Sequence, residues 1–177
     1  MSQQHIDIWN QAAAAFDQRY EAIAEAQWAE ATPCEGWNVK DLVDHAVGTQ
    51  KMMGGGMVGA EIGEDADWPT ARDAISTALA AEGALDGMTE FGPMGEVPKA
   101  MVFGIGTTDL LLHAWDLARA IGADEQLPAE AVSAAYQGLQ RFPEEARLAE
   151  GRFAPSIPVA DDADEQTKLI MFSGRQV

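Results

Sequence analysis

The chain has 177 residues, 47% of them hydrophobic, and a formal charge of −18 from 29 acidic against 11 basic side chains. That size and apolar content suit one domain with a substantial core. The acidic excess argues against nucleic acid and anionic membrane surfaces, whose binding needs clustered Lys and Arg. No apolar run approaches the roughly 20 residues that cross a bilayer. The opening MSQQHIDIWN has neither the basic nor the apolar region of a signal peptide. A soluble cytoplasmic protein is expected. Cys34 is the only cysteine, so an intramolecular disulfide and a Cys-rich zinc site are both excluded.

Helical periodicity dominates. Ile6, Trp9, Ala13, Phe16, Tyr20 and Ile23 recur at alternating spacings of three and four, which predicts a first helix that fades after Trp28. ATPCEGW (31–37) reads as a turn. Asn38 caps a second helix with Asp41 in its first turn, and Val39, Leu42, Val43, Ala46, Val47 and Met53 form its apolar stripe. GGGMVGAEIG (54–63) breaks that pattern and reads as the end of the helix or a loop. Without a preceding strand or a following Gly-Lys-Ser/Thr it is no phosphate loop. A third helix is expected over 70–86, and the stretch 87–100 is turn-rich. A fourth begins near Pro98, runs to Ala120 and stops at Gly122. A fifth spans about 128–141, and a short one lies near 163–173. Convincing alternating strands are missing. The fold class is therefore all-α, a helical bundle with a short extra C-terminal helical segment, in a single domain over 1–177.

The fourth helix carries the chemistry. In DLLLHAWDLARAIG (109–122), Asp109, His113 and Asp116 fall at about 0°, 40° and −20° around the axis, one narrow stripe. Leu110, Leu111, Ala114, Trp115, Leu117 and Ala118 occupy the other faces, so the helix is buried nearly all round and the stripe points into the bundle. Buried ionised carboxylates need a cation. His113 can bridge both aspartates in a local hydrogen-bonded cluster, or Asp109 and His113 can ligate a metal at i, i+4. Zinc suits such a half-site, with nickel, iron or manganese as rivals. Spacing leaves both readings open. Of the other histidines, His5 at the frayed N-terminus is a poor candidate, and His45 lies on the edge of an apolar stripe, where periodicity does not separate a ligand from an ordinary half-exposed histidine.

WAEATPCEGWNVKDLVDHAVG (28–48), followed downstream by DLLLHAWDLARAIG, resembles the DinB-like, mycothiol-dependent maleylpyruvate isomerase N-terminal-type metal-binding proteins. FAPSIPVADDADEQTKLIMFSGR (153–175) is similar to the end of the same group. The resemblance implies a DinB-like four-helix bundle and a metal held by His45, Asp109 and His113. The isomerase is similar but has glutamate at the position of Asp109, and many DinB-like proteins have histidine there. The isomerase also has a further C-terminal domain, for which these 177 residues leave no room.

Three protein ligands leave an open coordination position. The resemblance implies its use by a low-molecular-weight thiol, made reactive as a thiolate, that conjugates or isomerises an electrophilic substrate. The expected activity is a metal-dependent, mycothiol-type S-transferase or isomerase. The alternatives are a metal-containing small-molecule binding or stress-response protein without turnover, and a structural helical homodimer. Asp116 is expected to orient a ligand histidine. Cys34, Trp37 and Trp115 are candidate pocket residues, although core packing suits Trp115 better and Trp37 suits a hydrophobic position just before a cap.

Overall fold

The computed structural model describes residues 2–149 and 153–177. It is mostly helical, with one small antiparallel ribbon. Helix α1 (Ser2–Glu21) is followed by a short 3-10 turn, Glu25–Gln27. Helix α2 (Val39–Thr49) runs without a break into a π-helical segment, Gln50–Gly55, and the short α3 (Gly56–Val58). Helix α4 (Trp68–Leu79) precedes strands β1 (Met88–Glu90) and β2 (Glu96–Pro98). The long α5 (Lys99–Ile121) is followed by α6 (Ala129–Leu139), α7 (Glu144–Leu148) and α8 (Glu165–Phe172).

The core follows the apolar stripes. On α1, Trp9, Ala12 and Phe16 are buried, and Phe16 meets Trp68 of α4 edge-on with ring centroids 4.9 Å apart. Helix α5 is the central element. It packs against α1, α2, the π-helical segment and α6, and Leu110, Leu111, Leu112, Ala114, Leu117 and Ala118 are all buried along it. Such all-round burial explains why its sequence is apolar on every face. Arg19, itself buried, ties α1 to the turn after α5 by donating to the carbonyls of Ala15, Asp124 and Gln126.

Several boundaries differ from the sequence expectation. Helix α1 ends at Glu21 rather than near Trp28, and the Gln27 side chain accepts from the Ala24 amide to start the separate 3-10 turn. Helix α4 starts earlier, capped by Asp67, whose side chain accepts from the Thr70 amide, and stops at Leu79 before the positive-φ Gly83. The glycine run 54–56 stays helical, and the chain leaves the helix only at left-handed Gly59. A missing side chain is useful at this interface. A Cβ on Gly106 of α5 would lie 2.8 Å from Met53 Cβ, so glycine lets α5 and the π-helical segment approach closely. The turn-rich 87–100 contains the ribbon, in which Thr89 faces Val97 and the Phe91 amide donates to the Gly95 carbonyl. Its strands are three residues each, too short to print an alternating pattern.

Candidate metal centre

The site lies between α2 and α5, under the turn that precedes α2. That turn is fixed by its backbone. The Thr32 amide and hydroxyl both donate to the Trp37 carbonyl, the Cys34 carbonyl accepts from the Trp37 amide, and Gly36 supplies a positive φ. Asn38 then starts α2 with a reciprocal cap: its Oδ1 accepts from the Asp41 amide, and Asp41 Oδ2 accepts from the Asn38 amide. The result places Cys34 and Trp37 over the polar stripe of α5.

His45, Asp109 and His113 converge, each offering one ligand atom, and these atoms lie within 4.8 Å of one another. Asp109 Oδ1 is 3.6 Å from His45 Nε2 and 3.5 Å from His113 Nε2. The two imidazoles stand edge-on with centroids 4.9 Å apart. Trp37 walls the cluster, 4.7 Å from the His45 ring and nearly parallel to His113 at 6.0 Å. The burial is graded: the His113 side chain is 7% exposed, Asp109 27% and His45 38%. One side of the cluster therefore meets solvent. Thr49 Oγ1 lies 3.4 Å from His45 Nε2.

His113 is held from behind. Its Nδ1 is 2.9 Å from Asp116 Oδ2, which leaves Nε2 directed at Asp109. Asp116 is completely buried, and Arg175 grips it side-on, with Nε donating to Oδ1 and Nη2 to Oδ2, both at 2.8 Å. Cys34 Sγ donates to Asp116 Oδ2 at 3.4 Å and lies 4.0 Å from His113 Nδ1, so the thiol sits on the supporting side of the ring. Cys34, His113 and Asp116 form a second cluster of ligand-type atoms, but the guanidinium on Asp116 already supplies its positive charge.

The electrostatics match this division. Burial alone would push the Asp116 carboxyl up, but Arg175 and His113 hold it down at about 2. Burial opposes ionisation of Asp109 too, and the adjacent His113 and His45 override it and hold that carboxyl well below the usual range. Burial pushes His113 down, yet Asp109, Asp116 and Cys34 together raise it well above an ordinary histidine. Each carboxylate calls for positive charge beside it.

The donor set fits a metal ion. Asp109 Oδ2 is buried and has no hydrogen-bond partner among the described residues, and an orphaned buried carboxylate oxygen is costly. Two imidazole nitrogens and a carboxylate are the donor types of zinc and neighbouring divalent ions.

The other residues singled out in the sequence fall outside this cluster. Trp115 is 1% exposed, with the Arg119 guanidinium 4.3 Å over its ring, and belongs to the core. His5 packs near Gly104 on α5. Sequence reasoning missed Arg175 as the partner of Asp116. The available signal was the buried carboxylate itself, which demands a cation, and the similarity of the segment ending at Arg175 to the same group as the blocks that carry His45 and Asp109.

Residues 9–73 match the family described as Mycothiol maleylpyruvate isomerase N-terminal domain. That stretch, which runs from within α1 through His45 into α4, belongs to this DinB-like family type; Asp109 and His113 lie beyond it. Two uncharacterized proteins of Mycobacterium tuberculosis, from strains CDC 1551 / Oshkosh and ATCC 25618 / H37Rv, are each 34% identical to the chain over 110 residues. The match covers 56% of this chain and 57% of each relative. No solved structure matches. Among the described residues, no helix is long and apolar enough to cross a membrane.

Proposed function

We propose that the chain is a divalent-metal protein that uses a low-molecular-weight thiol of the mycothiol type to conjugate or isomerise a small electrophile. The observation that carries this reading is the convergence of His45, Asp109 and His113, whose ligand atoms lie within 4.8 Å of one another, with the second Asp109 oxygen buried and unpartnered among the described residues. His45 Nε2, Asp109 and His113 Nε2 hold the ion, with zinc first by donor type and nickel, iron or manganese as rivals. When bound, the ion supplies Lewis acidity that makes a thiol or water at an open position acidic. The family description of residues 9–73 supports the thiol.

The chain's own residues do the rest. Asp116 fixes the His113 ring by accepting at Nδ1, which leaves the Nε2 lone pair for the ion. Trp37 covers one face of both imidazoles, and the exposed side of His45 and Asp109 admits a small molecule from solvent. Conjugation forms a carbon–sulfur bond while the thiol proton passes to the neighbouring carbon of an activated double bond. Isomerisation reverses the same addition after bond rotation and returns the thiol. We read the long helices as the DinB-like four-helix bundle in one cytoplasmic domain, and pairing into a homodimer through helical faces belongs to the same proposal.

The test has two stages. Untagged protein should carry close to one equivalent of metal, and His113→Ala should lose it; elemental analysis that finds wild type and variant equally empty refutes the site. Metal-loaded protein is then incubated with mycothiol, bacillithiol or glutathione and a chromogenic electrophile. Turnover with one thiol, lost in His113→Ala, supports the reaction. Metal without turnover for any thiol would leave a binding protein in its place.

A further inference from the structure

Asp116 accepts from three side chains, and the origin of each separates support from structure. His113 Nδ1 is three residues away on the same helix, Cys34 comes from the turn before α2, and Arg175 comes from the segment after α8. Only Arg175 engages both oxygens. A planar fork bonded to both carboxylate oxygens fixes the plane and rotation of the carboxylate, which a single hydrogen bond cannot do. With that rotation set, Oδ2 is aimed at His113 Nδ1.

The segment that delivers Arg175 is built for close approach. Helix α8 ends with the Gly174 amide donating to the Met171 carbonyl and the Arg175 amide to the Ile170 carbonyl, a glycine-type C-terminal cap. Gly174 has φ +83°, and a Cβ there would lie 2.6–2.8 Å from the Cβ, carbonyl oxygen and carbonyl carbon of Ala154. No other residue type fits that crossing. The next residues are tied down as well, since Arg119 Nη1 donates to the Gln176 carbonyl and Arg175 Nη1 to Ser173 Oγ. The Arg175 side chain is only 15% exposed, much more enclosure than a surface ion pair requires.

We infer that Arg175 is a positioning residue for the metal centre: through its two bonds to Asp116 it sets the orientation of His113 and so the affinity for metal. Arg175 touches neither the ion nor substrate. The inference rests on the reading of His45, Asp109 and His113 as ligands, and it makes the segment after α8 part of the site.

Three measurements on the full chain test it. In metal-free protein, proton NMR should show a downfield His113 imidazole N–H resonance, assigned by its loss in His113→Ala and dependent on the bond to Asp116. Arg175→Gln should shift or broaden that signal; an unchanged resonance in the folded variant overturns the inference with no metal involved. In Co(II) titrations read by the visible absorption spectrum, Arg175→Gln should weaken binding about 10- to 100-fold, the range for groups that orient a ligand. Asp116→Asn should do the same, and the double variant should be no weaker than either alone, because both act through one bond. Additive losses, or binding of Arg175→Gln within about twofold of wild type, refute the inference. Should Arg175→Gln fail to fold, Arg175→Lys serves: it keeps the charge and loses the fork, so wild-type binding and spectrum in that variant refute the positioning role. Wild type that takes up no Co(II) refutes the ligand reading and this inference together, whereas tight wild-type binding lost in His113→Ala but kept in Arg175→Gln refutes this inference alone.

Discussion

Two polar knots lie between α5 and the elements packed on it, and they are built on opposite principles. At one, the Gln50 side chain is fully buried in the π-helical segment; its Oε1 accepts from Trp9 Nε1 at 2.9 Å and its Nε2 donates to the Gly106 carbonyl at 2.7 Å. Every group there is neutral and the bonds close on themselves. At the other, two carboxylates, two imidazoles and a guanidinium share a few ångströms, and one oxygen, Asp109 Oδ2, is left without a partner among the described residues. A closed neutral knot contributes stability and specificity and asks for nothing further. A charged knot with a buried orphan oxygen keeps capacity for a ligand.

That contrast can be broken experimentally, most forcefully at its charged end. Asp116→Ala leaves the Arg175 guanidinium enclosed without a counter-charge and should cost about 3–5 kcal/mol in chemical denaturation of metal-free protein. A loss under about 1 kcal/mol would show that the cluster is solvated and its charges are cheap to separate. His113→Ala should lower metal affinity by more than about 100-fold, beyond the range for groups that only support a ligand. Competition titration with a chelating indicator reads it, and retention of affinity would make the stripe a purely structural cluster.

Gln50→Leu tests the neutral knot. It leaves Trp9 Nε1 and the Gly106 carbonyl without their partner and should cost about 1–3 kcal/mol, with metal affinity unchanged within about twofold. A parallel fall in affinity would mean that the two knots are coupled through α5. The smallest effect is expected at Trp37. Trp37→Ala removes a ring stacked on His113 and tilted against His45, and a loss of about 0.5–1.5 kcal/mol in metal binding is expected from aromatic contacts of this kind. Calorimetric titration of wild type and variant decides it, and tighter binding in the variant would show that Trp37 obstructs the site instead of walling it.

The legibility of these features in the sequence tracked the distance over which each is determined. The stripe of Asp109, His113 and Asp116 follows from helical arithmetic within eight residues. His45 does not, because a side chain at the open edge of the cluster, 38% exposed, has the same local pattern as an ordinary surface histidine; only the resemblance pointed to it. Arg175 was invisible to periodicity, being paired with Asp116 across 59 residues. The glycines at 54–56 illustrate the opposite error. They read as a break, yet the chain stays helical through them, with Gly54 packed against Ile75 of α4 and Gly55 against Ile62, so that packing outweighs their weak propensity. The short ribbon escaped for want of length, and α1 was read too long because Ile23 keeps the helical spacing past its end and still packs against the core.

The Asp116 carboxylate also carries a consequence for the order in which the protein comes together. Its partners lie 82 residues before it, at Cys34, and 59 after it, at Arg175, while His113 is a near neighbour. Contacts within a helix form early, whereas contacts that close long loops wait until the chain has already lost most of its freedom. Helix α5 can therefore present its two aspartates and histidine well before anything holds them in place. On the proposed ligand reading, a defined grip on a metal therefore belongs to the finished molecule, in which Cys34 and Arg175 both hold Asp116 in place.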